Sequence, residues 1–222
     1  MFPPSRRAAR QRVCPRVVVR GGATASLLVI LASAALASGP VDTQPPSQPS
    51  TGAMIATREY RVPDVRLVRD DGRSVSLPQE MNDGRPVVLN FIFTTCSSVC
   101  PLMSQILAQF QQKLGADRDR VHLMSISIDP EEDTPARLRE YAHKFHAGPE
   151  WQHYTGTVEA SLAAQRAFGI YRGDKMSHAV VTLLRAAPGQ PWRRIEGLIT
   201  PEDLLTEYHR LVSAPQHSLA TR

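Results

Sequence analysis

Cys96 and Cys100 carry the clearest chemistry in this chain. They follow the run Pro86-Val87-Val88-Leu89-Asn90-Phe91-Ile92-Phe93-Thr94-Thr95 in the segment Cys96-Ser97-Ser98-Val99-Cys100-Pro101. A nearly continuous apolar, β-rich run is the pattern of a strand covered on both faces. Such a strand, running into two cysteines four apart with a helix behind them, is expected to present two thiols at one exposed edge. The chemistry open to that pair is thiol–disulfide exchange or capture of a soft metal ion. Cys96 is expected at the strand end or in the turn before the helix, where amide N–H groups and the helix dipole stabilise a thiolate. Cys100 shares its face if the turn is helical. Pro101 has no N–H to donate and suits a first helical turn, which puts the helix start close to Cys100.

The elements that must position the pair follow from periodicity. Val65 to Val68 and Ser74 to Leu77 alternate around Asp70-Asp71-Gly72, the signature of a β-hairpin. Val87 to Phe93 reads as the central strand. Val99, Leu102, Met103, Ile106, Leu107 and Phe110 recur at helical spacing up to about Gly115. Val121 to Ile128 is a second buried strand, stopped by Asp129-Pro130. Thr134-Pro135 opens a helix with the buried stripe Leu138, Tyr141, Ala142 and Phe145. Another helix starts at Thr157 and runs to about Phe168. His178 to Leu184 and Arg193 to Leu198 read as two closing strands, and Thr200-Pro201 begins a last helix through about Leu211. Strand and helix alternate first and an antiparallel pair closes the domain, which predicts an α/β thioredoxin-like sandwich with an added N-terminal β-hairpin.

Within that fold the cysteine spacing is informative. Thioredoxin-type oxidoreductases place two residues between their cysteines, and this chain has three. The wider bite leaves room for a metal ion. Thioredoxins also set a cis-proline before the strand facing the cysteines, whereas residues 172–187 contain no proline and His178 opens the expected strand. Two thiolates favour Cu(I), and one added imidazole makes a site able to hold Cu(II) as well. The remaining histidines lack a ligand pattern: His143 and His146 read as a solvated helical pair, His122 as core or edge, and His153, His209 and His217 as unpaired. Met103 and Met124 fit core stripes, while Met176, two residues before His178, is the one thioether near the candidate site. The Asp129 to Asp133 cluster reads as a solvated loop that also starts a helix.

Composition bears on the compartment. Six arginines and no acid precede the apolar stretch Ala23 to Ala37, and Ala35-Leu36-Ala37 offers a cleavage site. Residues 1–37 are therefore expected to be a signal peptide, or an N-terminal membrane anchor through residues 23–37. The chain's net charge of +5 falls to −1 once these six arginines are removed, so its basic character reports export and is no sign of nucleic-acid binding, and no nucleic-acid partner is expected. Cys14 would be discarded by cleavage, leaving the close pair alone in an oxidising compartment. Residues 38–57 are rich in Pro, Ser, Gln and Thr and read as a flexible linker. Residues 58–214 form the expected domain, and 215–222 a disordered tail.

The stretches Val87 to Pro101, Ser125 to Pro135 (Ser-Ile-Ser-Ile-Asp-Pro-Glu-Glu-Asp-Thr-Pro) and Ser177-His178-Ala179-Val180-Val181 resemble the Sco/SenC family of copper-binding assembly factors for cytochrome c oxidase, over about Tyr60 to Leu211. The resemblance implies that Cys96, Cys100 and His178 are copper ligands for Cu(I) or Cu(II), and that Asp129 belongs to an acidic loop near them. It also implies a monomeric periplasmic protein, soluble or tethered to the inner membrane, that loads the copper centre of oxidase subunit II or another copper-carrying protein. The family carries Asp immediately before the ligand histidine where this chain has Ser177, with Asp174 the nearest acid. The alternative is a thiol:disulfide oxidoreductase in which Cys96 attacks, Cys100 resolves and His178 acts as acid or base.

Overall fold

The computed structural model describes residues 52–214. The expected signal or anchor, most of the linker, Cys14, His217 and the C-terminal tail lie outside the described residues. Within them, no helix is long and apolar enough to cross a membrane.

Eight strands form one mixed sheet. In chain order they are β1 (Met54–Arg58), β2 (Arg66–Arg69), β3 (Ser74–Ser76), β4 (Val87–Ile92), β5 (His122–Ser127), β6 (Trp151–Thr155), β7 (Val181–Arg185) and β8 (Trp192–Glu196). Their order across the sheet is β1-β8-β7-β4-β5-β6-β2-β3. β4, β5 and β6 run parallel, β7 runs against β4, β8 turns back antiparallel to β7, and β1 pairs antiparallel with β8 at one edge. β2 and β3 form an antiparallel hairpin at the other edge, with β2 laid against β6. Gly72, in the hairpin turn, adopts φ 87°, a backbone that favours glycine.

Every residue of β4 and β5 is buried because helices cover both faces of the sheet. The long helices are α2 (Val99–Leu114), α3 (Pro135–Lys144), α4 (Val158–Ala167) and α5 (Pro201–Ser213), and the short α1 (Leu77–Met81) follows β3. Val88, Ile92 and Leu123 pack with Leu107, Phe110, Leu138 and Leu204, so α2, α3 and α5 cover one face. Leu89, Phe91, Met124 and Tyr154 pack with Met81, Ala160 and Ala164, so α1 and α4 cover the other. Thr134, Thr157 and Thr200 each accept a backbone N–H three residues on, the N-cap bonds that start α3, α4 and α5.

Three expectations need correction. The linker ends earlier than residue 57, since Met54 to Arg58 pair with β8 as an edge strand. β6 stands between β5 and the hairpin, where the sequence showed no strand. His178 does not open a strand: a 3-10 turn over Lys175–Ser177 precedes it, and β7 begins three residues later.

Candidate metal centre

The site is built where β4 stops. After Ile92 the chain leaves the sheet in a turn closed by Cys96 N–H on the Phe93 carbonyl at 3.2 Å. Asp133 holds that turn from the side. Its carboxylate accepts from Thr94 N–H at 3.1 Å, Thr94 Oγ1 at 2.5 Å and, from β5, Ser127 Oγ at 2.6 Å. Asp133 is 0% exposed, so the acidic stretch is no merely solvated loop. Burial drives its carboxyl up while the hydroxyl and amide donors pull it down, and burial prevails.

Cys100 enters on the first turn of α2 and donates its N–H to Cys96 Sγ at 3.4 Å, which brings the two sulfurs to one place. The pair is buried, Cys96 at 7% and Cys100 at 0% exposure, in place of the exposed edge expected. Both are free thiols. Burial works against the Cys96 thiolate, but the Cys100 and Ser98 amides outweigh it and hold this thiol below its ordinary value. Burial pushes Cys100 up to about 12. The two sulfurs are thus shifted in opposite directions, Cys96 toward the thiolate and Cys100 away from it.

His178 sits half-buried beside the end of β4, its Nε2 at 2.8 Å from the Phe91 carbonyl. A carbonyl only accepts, so Nε2 carries the hydrogen and the neutral ring keeps its lone pair on Nδ1. That Nδ1 is buried and has no hydrogen-bond partner. Burial chiefly lowers the ring's basicity; the Phe91 carbonyl opposes this and Arg172 adds to it. A ring N–H tied to a backbone carbonyl, with the other nitrogen bare, is the arrangement of a metal-ligating histidine. The donor set therefore suits a soft or borderline metal. Among the described residues, however, no three His, Cys, Asp or Glu side chains are grouped to share an ion. The thiols are together, and the imidazole stands outside that pair in this conformation.

Asp129 and Lys175 complete the surroundings. Lys175 Nζ lies 2.7 Å from Asp129 Oδ2 and 5.8 Å from the centroid of the Phe93 ring. Both residues line a cleft of about 390 Å³ together with His178, Tyr171 and Arg172. Asp174, the acid nearest Ser177, accepts from Met176 N–H at 3.0 Å and so shapes the turn before His178. Met176 is 70% exposed. Sequence reasoning missed Lys175 and the burial of Asp133. Lys175 has no local signal, whereas Thr94 and Ser127, hydroxyls beside two apolar strands, were a cue that a buried acceptor awaits them.

Fold and site together define a thioredoxin-like α/β domain whose dithiol opens the helix after the central strand, with a histidine presented nearby. The SCO1/SenC family model matches residues 56–213, and the chain belongs to that family. The SCO1 protein homolog of Bacillus subtilis is 33% identical over 104 residues, covering 46% of this chain and 53% of that protein. The chain spans about half the length of the curated relatives it matches. Arabidopsis thaliana ScoI with copper bound superposes with a TM-score of 0.58 at 25% identity, covering 66% of this chain and 94% of that one. BsSco, described as a member of the Sco family of cytochrome c oxidase assembly proteins, superposes with a TM-score of 0.59 at 24% identity. That likeness covers 76% of this chain and 98% of BsSco.

Proposed function

We propose that this chain is an exported copper chaperone. It holds one copper ion through Cys96, Cys100 and His178 and delivers it to the copper centre of cytochrome c oxidase. The carrying observation is the His178 ring, with Nε2–H on the Phe91 carbonyl and a buried, partnerless Nδ1, in a chain whose sulfurs already stand together. Copper in a ScoI relative and the oxidase-assembly role stated for BsSco's family support the reading. Copper is cargo here. Cys96 offers the first thiolate, Cys100 gives up its proton as it ligates, and completing the set brings His178 and the thiol turn together. Release proceeds by ligand exchange, as donor groups of the acceptor protein replace the cysteines one at a time. Oxidation of the pair removes two electrons and two protons, joins the sulfurs and withdraws both as ligands. Residues 1–37 are assigned to export, placing the domain in the periplasm.

Copper stoichiometry with the absorption spectrum of the reduced protein tests this. Wild type should bind one equivalent, with thiolate-to-Cu(II) bands that Cys96→Ser and His178→Ala alter or abolish. Unchanged binding of both copper states by His178→Ala would sink the three-ligand site.

A second reading, a thiol:disulfide oxidoreductase, is favoured by the amide-stabilised Cys96 thiolate and by the disulfide switch described in BsSco. Efficient turnover of insulin or glutathione disulfide by the copper-free protein would support it.

A further inference from the structure

The loop that carries His178 is held to the rest of the domain by few groups. Its backbone is tied to the sheet just after His178, where the Val180 carbonyl accepts from Gly197 N–H at 2.9 Å, but between Asp174 and His178 its backbone bonds are local, from Ser177 N–H to Asp174 O at 3.1 Å and from His178 N–H to Lys175 O at 3.2 Å. Asp174 is committed to Met176 N–H, and Arg172 turns back on the Gly169 and Tyr171 carbonyls. Among the described residues, two side chains of this loop reach outward to form bonds. One is His178, on Phe91. The other is Lys175, on Asp129, with its ammonium also over the Phe93 ring.

The anchor is itself fixed. Asp129 is 7% exposed, donates its N–H to Ser127 Oγ at 3.0 Å, and accepts at its carbonyl from Glu132 and Asp133. Lys175 stands three residues before His178, with a 3-10 turn between, and such a turn eclipses positions i and i+3. Fixing Lys175 therefore fixes the direction from which His178 leaves the loop.

We propose that Lys175 is a positioning residue for His178: anchored on Asp129, it holds the loop at the ends of β4 and β5, so that the imidazole stays aimed while the thiol turn closes on the metal. The inference rests on the copper reading above. Ordering a free ligand arm at the moment of binding costs conformational freedom, and an arm already tethered has met that cost. Cu(I), satisfied by two thiolates, depends little on the tether, whereas Cu(II) depends on the imidazole.

The test compares Lys175→Gln, Asp129→Asn and Lys175→Arg, titrated separately with Cu(I) and Cu(II). Lys175→Gln and Asp129→Asn should each weaken Cu(II) binding about tenfold and shift its charge-transfer bands, as loss of groups that orient a ligand does. Combining them should add little, since both remove one interaction. Lys175→Arg keeps the charge and should restore affinity and spectrum. In the copper-free protein, the ring nitrogen signals of His178 should broaden in Lys175→Gln. Ring signals unchanged in the copper-free variant, or Cu(II) affinity and bands unchanged in it, would overturn the proposal. Because the ring measurement needs no metal, it decides the role of Lys175 even if His178→Ala were to refute copper ligation.

Discussion

At the residue scale, two cysteines of one motif have been given opposite characters by a few amides and a degree of burial. Cys96 receives N–H groups from Ser98 and Cys100, whereas Cys100 is wholly enclosed. Iodoacetamide at neutral pH should therefore modify Cys96 first, with Cys100 reacting at least about tenfold more slowly because the thiolate is the nucleophile. Peptide mass spectrometry of a short time course checks the order; equal rates would contradict the assignment. The pair itself was legible in the sequence, because four-residue spacing at a strand-to-helix junction is a local signal. His178 was legible as a residue but not as a conformation. Its ring is set by Phe91, 87 positions away, and its loop by Asp129, 46 positions from Lys175, and pairings at such separations leave no periodic trace.

At the scale of elements, the site is a junction of four: β4, α2, β5 and the loop into α3. Asp133 joins them by accepting from Thr94 and Ser127. Asp133→Ala strands these donors inside the protein and should cost about 3 kcal/mol in urea unfolding, by loss of a buried charged hydrogen-bond centre. It should also speed alkylation of Cys100 as the turn loosens, whereas a loss of stability below about 1 kcal/mol would mean the three bonds contribute little. Central strands and capped helices were readable because their signals are local: apolar runs in β4 and β5, and threonine followed by proline before α3 and α5. β6 escaped because its sequence, Trp-Gln-His-Tyr-Thr, carries polar groups on both faces of a strand that is nonetheless almost wholly buried. β1 escaped because the apolar run in Met-Ile-Ala-Thr-Arg is only three residues long and shows no alternation, and its partner β8 lies far along the chain.

For the molecule as a whole, buried histidines set a limit on acid tolerance. His153 is fully enclosed, stacks on Trp151 at 5.2 Å, and has no hydrogen-bond partner on either ring nitrogen. Burial holds its pKa at about 3. Between about pH 6.5 and that value the unfolded chain binds a proton that the folded chain refuses, so stability falls as pH falls through this window. Burial lowers His122 and His178 as well, in the same direction. His153→Phe should leave stability near pH 7 little changed and move the acid unfolding midpoint, followed by circular dichroism, to lower pH. A midpoint that stays in place would remove His153 as a cause. A different consequence follows from the pairing of β1. Met54 lies opposite Glu196, Glu196 opposite Val181, and Val181 begins the strand that runs against β4 from its Cys96 end. The backbone thus enters the domain on the thiol side of the sheet. A polyhistidine purification tag joined just ahead of Gly52 would leave the domain at the same end of the sheet as Cys96 and Cys100 and compete for the ion being titrated, so metal-binding measurements call for a handle elsewhere or one removed beforehand.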